Sequence, residues 1–333
     1  MLNVALLGAG RIGQVHAKAI SSHPNSRLIA VSDVNTEAAD KLAATYRADA
    51  WSTEAILADP TIDAVLIATS TNTHSDLIEE ATRAGKAALC EKPVDLSLSR
   101  AQACQKVVSA TGRPVMIGFN RRFDPNFATL KAAIDRGEIG RSELLSITSF
   151  DPAPPPVSYI KVSGGLFRDM MIHDFDMACW IMGSTPDKVT AVGSSIVNPE
   201  IGEAGDVDTA VVTLHYADGR IAVIKNSRRA VYGYDQRIEL LGSEGLLSAG
   251  NVLENTMSKA TAAGVLSAKP EFFFLERYMR AYSAEWEAFV DAVTTGAALP
   301  VTLDDGVNAL AIAEAATRSV KTGSRVDLAS VLG

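Results

Sequence analysis

Val4-Ala5-Leu6-Leu7-Gly8-Ala9-Gly10-Arg11-Ile12-Gly13-Gln14-Val15-His16-Ala17 decides how the first third of the chain folds. An apolar run, Val4 to Leu7, passes straight into a G-x-G-x-x-G turn and then into a stretch with helical spacing. A strand feeding a glycine turn and a helix leaves backbone N–H groups facing outward at the helix N-terminus, where the helix dipole favours a pyrophosphate. Gly8, Gly10 and Gly13, with Arg11 and Ile12 between them, are therefore candidate dinucleotide contacts. Asp33 follows Gly13 by twenty residues, at the end of the second apolar run, where a carboxylate accepts hydrogen bonds from ribose hydroxyls. The same carboxylate repels a 2′-phosphate, and Val34, Asn35 and Thr36 bring no cation to offset it, so NAD is expected rather than NADP. Taken alone, Asp33 also suits a helix cap.

The strand-and-helix pattern recurs outward from this stretch. Leu28-Ile29-Ala30-Val31, Ala64 to Ala68, Ala87-Ala88-Leu89-Cys90 and Val115-Met116-Ile117 are continuous rather than alternating apolar runs, as strands buried on both faces require. They predict a doubly wound parallel α/β sheet, a Rossmann fold, over residues 1–120. After Phe119 come one helix near Phe127 to Arg136 and alternating, β-branched segments: Leu144 to Phe150, Val189 to Val197, Val207 to Tyr216 and Ile221 to Ser227. These predict an α+β domain over 121–333 with a large, mostly antiparallel open sheet. Pro152-Ala153-Pro154-Pro155-Pro156 bars a helix or a central strand, and a helix is expected from Leu166 to Met182, closed by Gly183. Thr302 with Asp305 resembles a capping box opening a helix that stops near Gly323. Residues 253–272 show no clear period.

Length and charge narrow the function. The 333 residues exceed one typical domain of roughly 150, and a 47% apolar, 21% charged composition is that of an ordinary folded chain. A net charge of −8 repels nucleic-acid phosphates and anionic lipid, and no apolar stretch approaches the ~20 residues of a membrane helix. Cys90, Cys104 and Cys179 are widely spaced and odd in number, so neither a disulfide framework nor a CxxC metal site is written here. A soluble, cytoplasmic protein without a signal peptide is expected.

Polar residues with chemical potential gather at four places. Thr69, Asn72 and His74 form a polar turn after the third long strand, at the level where a dinucleotide crosses, although Thr73 and His74 equally suit an ordinary helix start. Glu91-Lys92-Pro93 follows the next strand and puts Lys92, with Glu91 beside it, at the carboxyl edge near the expected nicotinamide. Proline restricts the lysine backbone and admits a cis bond, so the ammonium is aimed to stabilise a developing alkoxide; a surface lysine in a turn is the bland alternative. Asp169, His173 and Asp176 stand at i, i+4 and i+7 and share one face of the expected helix. His173 suits a general base for a hydroxyl proton, Asp169 an orienting carboxylate and Asp176 an acceptor for a neighbouring hydroxyl. A solvated helix face, or a metal site from Asp169, His173 and Asp174 or Asp176, competes with that reading, but no second ligand cluster is visible and no metal is expected. Tyr232-Gly233-Tyr234-Asp235 reads as strand, with both phenols on one face to line a polyol pocket or to stack at a subunit contact.

These residues resemble the glucose-fructose oxidoreductase, inositol dehydrogenase and rhizopine catabolism (Gfo/Idh/MocA) family. The resemblance spans nearly the whole chain and rests on the glycine motif, Glu91-Lys92-Pro93, Gly118-Phe119-Asn120-Arg121-Arg122-Phe123-Asp124-Pro125 and the Asp169 to His173 pair. Asp151-Pro152-Ala153-Pro154-Pro155-Pro156, the Gly165 to Asp176 stretch and Tyr232-Gly233-Tyr234-Asp235 point within it to the inositol-oxidising members. The resemblance implies oxidation of myo-inositol to 2-keto-myo-inositol with NAD. It also implies that Lys92, Asp169 and His173 are catalytic, and that Asp176, Asn120, Arg122, Asp151, Tyr232 and Tyr234 contact substrate. A homotetramer formed through the open sheet is implied as well. A dehydrogenase of scyllo-inositol, glucose or xylose, and a non-catalytic dinucleotide sensor, stay open as alternatives.

Overall fold

The continuous apolar runs fold as strands buried on both faces. In the computed structural model, which describes residues 1–333, they are β1 (Leu2–Leu7), β2 (Ser26–Ser32), β4 (Ala64–Ile67), β5 (Ala87–Cys90) and β6 (Val115–Ile117). A two-residue edge strand, β3 (Asp49–Ala50), is exposed and too short and polar to announce itself in sequence. All pair in parallel in the order β3-β2-β1-β4-β5-β6. The helices α1 (Arg11–Ser22), α2 (Thr36–Tyr46), α3 (Thr53–Ala58), α4 (His74–Arg83) and α5 (Leu98–Thr111) supply the crossovers. This is the Rossmann arrangement, with polar turns beyond the carboxyl ends of β1, β4 and β5.

The later chain builds a second sheet. Asp124 caps α6 (Pro125–Asp135), its side chain accepting from the N–H groups of Asn126 and Phe127. There follow β7 (Ser142–Phe150), α7 (Val157–Ser163), α8 (Leu166–Asp169), α9 (Ile172–Met182), β8 (Lys188–Ser194), α10 (Pro199–Glu203), β9 (Thr209–His215), β10 (Ile221–Ser227), β11 (Asp235–Gly242) and β12 (Gly245–Ala249). A hairpin of β13 (Ser258–Thr261) and β14 (Gly264–Ser267), both exposed, fills part of the stretch without a period. The chain ends with α11 (Phe274–Thr295), α12 (Leu303–Thr322), β15 (Val326–Asp327) and α13 (Ala329–Leu332). The seven-stranded order is β12-β11-β7-β10-β9-β8-β15, antiparallel except for the β7–β10 pair. The capping box at Thr302 forms, with Thr302 N donating to Asp305 Oδ2 at 2.7 Å and Asp305 N donating back to Thr302 Oγ1 at 3.2 Å.

Two compact units result: Met1–Phe123 with Arg280–Leu310, and Asp124–Met279 with Ala311–Gly333. The return of Arg280–Leu310 to the first unit departs from a simple division at residue 120. Its cause is apolar: Trp286, Phe289 and Val290 on α11 are buried, and Trp286 Nε1 donates to Ser26 Oγ at 2.9 Å. Gly306 comes so close that an added Cβ would lie 2.6 Å from Val94 Cγ2.

The helix expected from Leu166 to Met182 is broken in two. Met171 N donates to Leu166 O rather than to Phe167 O, shifting the ladder by one residue where Met170 and Met171 both turn inward.

Candidate active site

The cofactor end of the first unit is built by sterics. Gly8 has φ +105°, and a Cβ there would lie 2.3 Å from Ala68 O; one on Gly13 would lie 2.0 Å from Gly8 O. Both positions are closed to any side chain. Gly10, the N-cap of α1, is different, because an added Cβ meets nothing within 4 Å. The loop is thus pressed against β4 on one side and open at Gly10, beside exposed Arg11 and half-buried Ile12. Asp33 is fixed by accepting from Ala9 N (2.6 Å, Oδ2) and Asn35 N (2.8 Å, Oδ1). It does not cap α2; Asn35 does, accepting from Ala38 N. Thr69 Oγ1 and Thr73 Oγ1 are 2.7 Å apart, and Asn72 is exposed.

Lys92 stands half-buried after β5, and its bond to Pro93 is cis. Three residues expected to face a ligand are held by internal partners. His74 is 1% exposed, with Nδ1 2.8 Å from Pro93 O and Nε2 3.2 Å from Thr69 O, so it ties the two turns together. Burial holds its pKa below the usual histidine value. Glu91 points inward, with Oε1 2.7 Å from His16 Nε2. Arg122 is buried, donating to Pro300 O at 3.0 Å and pairing with Asp305 at 2.9 Å. Each had polar partners to satisfy on the inside, and residue type alone does not give a side chain's direction. Asn120 is also buried, in the turn after β6.

In the second unit Asp169 ends α8 and His173 lies in the first turn of α9, both half-buried, across the helix break. Asp169 accepts from Tyr159 OH at 2.9 Å, and its Oδ2 is 3.4 Å from both terminal nitrogens of Arg228. Arg228 is fully buried and also lies 3.7 Å from Asp206. Asp206 in turn accepts from Leu166 N, starting α8, and crowds Gly165, where φ is +83° and a Cβ would lie 2.6 Å from its Oδ1. Burial raises the Asp206 carboxyl above its ordinary pKa. Asp176 is buried on α9, whereas Asp174 is turned into the sheet, accepting from Ser149 Oγ (2.6 Å) and Asn226 Nδ2 (2.8 Å). No group of three or more His, Cys, Asp or Glu side chains is arranged to hold a metal ion. Asp151 is half-buried and held through its backbone, donating to Ser227 O and accepting from Ala230 N.

The two tyrosines expected on one strand face lie in a turn before β11 instead. Gly233 has φ +129° and approaches Pro270 O, so the chain reverses between them. Tyr232 is 46% exposed and donates to Asp235 Oδ2 at 2.6 Å, while Tyr234 is 6% exposed and packs edge-on against Tyr278.

Residues 2–119 match the model of an oxidoreductase family with an NAD-binding Rossmann fold, and residues 127–248 match the GFO/IDH/MocA C-terminal domain. The chain belongs to the Gfo/Idh/MocA family. An inositol 2-dehydrogenase of Rhizobium meliloti is 50% identical over 97% of this chain and 98% of the relative. A solved myo-inositol dehydrogenase from Corynebacterium glutamicum superposes with TM-score 0.95 at 44% identity, covering 98% of this chain and 99% of that one. A scyllo-inositol dehydrogenase from Lactobacillus casei, solved with NAD(H) and scyllo-inositol, has TM-score 0.92 at 29% identity, with 99% of each chain covered.

The family's cofactor, NAD, suits the residues present: Gly10 leaves the helix N-terminus open to a pyrophosphate, and Asp33 is already aimed by Ala9 N and Asn35 N. Sequence reading had no signal for Tyr159, Asp206 or Arg228. Arg228 precedes another arginine just after a strand, where surface cations are common, and only burial marks it out.

Proposed function

We propose that this chain oxidises myo-inositol to 2-keto-myo-inositol, with His173 as general base, Asp169 as its orienting partner and Lys92 as the group that stabilises the reacting oxygen. What supports this most is the near-full-length likeness to a relative named for inositol oxidation, at 50% identity. Bound NAD supplies the hydride acceptor. Gly8, Gly10, Gly13 and Asp33 hold it, with Arg11, Ile12, Thr69 and Asn72 alongside. His173 takes the hydroxyl proton on its imidazole. Asp169, anchored by Tyr159 and Arg228, stabilises the imidazolium that results and keeps the ring in one tautomer. The Lys92 ammonium offsets the negative charge that builds on the same oxygen as its proton leaves. Asp176 accepts from a neighbouring hydroxyl, with Asp151, Asn120 and Tyr232 as further substrate contacts; Arg122, Glu91, His74 and Tyr234 act from behind by holding those turns. The absorbance of reduced nicotinamide, followed with myo-inositol, scyllo-inositol, glucose and xylose against NAD and NADP, tests this reading. Fastest turnover is expected with myo-inositol and NAD. Turnover confined to an aldose would overturn the substrate assignment, and silence with every polyol would overturn the enzyme.

The working form is a homotetramer in a reducing, cytoplasmic setting. Ile221, Leu144, Leu241 and Leu246 lie in register across β10, β7, β11 and β12 and are 40–53% exposed, an apolar row that a partner subunit covers. All three cysteines are free, and no helix is long and apolar enough to cross a membrane. Light scattering should give four chains, and Leu144→Glu should give fewer; a wild-type monomer would contradict the assembly.

A further inference from the structure

Within the first unit lies a group of ionisable side chains that the steps above do not use. Glu285 on α11 is 0% exposed, and neither of its carboxyl oxygens has a protein hydrogen-bond partner. His16 on α1 is equally buried; its Nε2 meets Glu91 Oε1 at 2.7 Å, and its Nδ1 has no protein partner. Tyr282, one turn before Glu285 on the same helix, packs edge-on against the His16 ring at 5.4 Å, which brings that face of α11 to the imidazole. On the far side, Glu91 Oε2 accepts from Lys92 N at 3.3 Å. The group therefore runs from α11 through α1 to the main chain of Lys92.

Its protonation is complementary. Burial, reinforced by the nearby charge of Glu91, pushes the Glu285 carboxyl well above its usual range and so favours the protonated acid. Glu91 is held below its usual value, because His16 and Lys92 outweigh its burial. With Glu91 an acceptor, His16 Nε2 is the donor and Nδ1 of a neutral ring is left to accept. Buried polar groups of this kind are satisfied by protein or by internal water.

We propose that Glu285, His16 and Glu91 form a buried relay, closed by an internal water between the Glu285 carboxyl and His16 Nδ1, which positions the main chain of Lys92. The relay's functional half rests on the role given to Lys92; its existence does not. The infrared spectrum of the full chain near neutral pH should carry the carbonyl stretch of a protonated carboxylic acid that disappears in Glu285→Gln. Identical spectra would overturn the proposal. In turnover, Glu285→Leu, which keeps the volume and removes both hydrogen-bonding roles, should lower kcat about ten- to a hundredfold with KM and NAD affinity unchanged, the size of effect expected from a displaced catalytic group. Glu285→Gln can still donate and accept, and should rescue most of that loss. A Gln variant as impaired as the Leu variant would overturn the relay. Should no polyol be turned over, the dehydrogenase reading fails while the infrared band still decides whether the relay exists.

Discussion

In the proposed mechanism Lys92 acts from the turn after β5, beside side chains fastened inside the first unit. The places of Lys92 and Asp33 just beyond β5 and β2 were legible because strand, turn and proline fix where their backbones must be. Glu91, His74 and Arg122 each have an internal partner that sequence does not announce, because it lies outside their own motif: His16 for Glu91, Thr69 O and Pro93 O for His74, Asp305 for Arg122. Lys92→Ala is expected to lower kcat by about a hundred- to ten-thousandfold, the usual size of a lost acid-base or charge-stabilising group, while the NAD dissociation constant stays put. Single-turnover kinetics with fluorescence titration of NAD separates the two; wild-type kcat in the variant would remove Lys92 from the mechanism.

At the scale of elements, the glycine loop and the capping box each make a sharp contrast. Gly13→Ala forces a Cβ into Gly8 O, a fixed backbone atom, and should prevent normal folding of the first unit. Gly10→Ala meets nothing and keeps an ordinary φ of −68°, so stability should stay within about 0.5 kcal/mol. NAD affinity should nevertheless fall, because the methyl occupies the approach to the helix N-terminus. Thermal unfolding with and without NAD reads both; a Gly10→Ala protein that binds NAD normally would refute the cradle. On α12, Thr302→Ala removes one cap and should cost about 1 kcal/mol. Asp305→Ala also removes the carboxylate paired with the buried Arg122 guanidinium and should cost about 3 kcal/mol by denaturant titration. The capping box could be read in advance because its two residues are three apart. The break at Met170–Met171 could not, because no glycine or proline marks it and the apolar spacing runs straight through.

For the whole molecule, the parallel sheet and the antiparallel open sheet follow from continuous against alternating apolar runs. The return of Arg280–Leu310 to the first unit was hidden, since an amphipathic helix does not say which core its apolar face will join. Global stability carries a signature of that return. Glu285 titrates above its unfolded value of 4.5 in the folded chain, so the unfolded chain loses this proton first. The stability this group contributes is complete below pH 4.5 and is lost as pH rises toward the folded value. Glu285→Gln removes that dependence. Its stability relative to wild type should rise with pH above 4.5, by up to about 1.4 kcal/mol per pH unit. Chemical denaturation across that range measures it, and a constant difference would mean Glu285 is ionised when folded. Hydride is expected to pass directly from C2 of myo-inositol to NAD, and turnover of myo-inositol deuterated at C2 measures this. One deuterium per turnover should appear on the nicotinamide ring of the reduced product, with slower turnover where hydride transfer limits the rate. Reduced nicotinamide free of deuterium would place the oxidised carbon elsewhere and rule out direct transfer from C2.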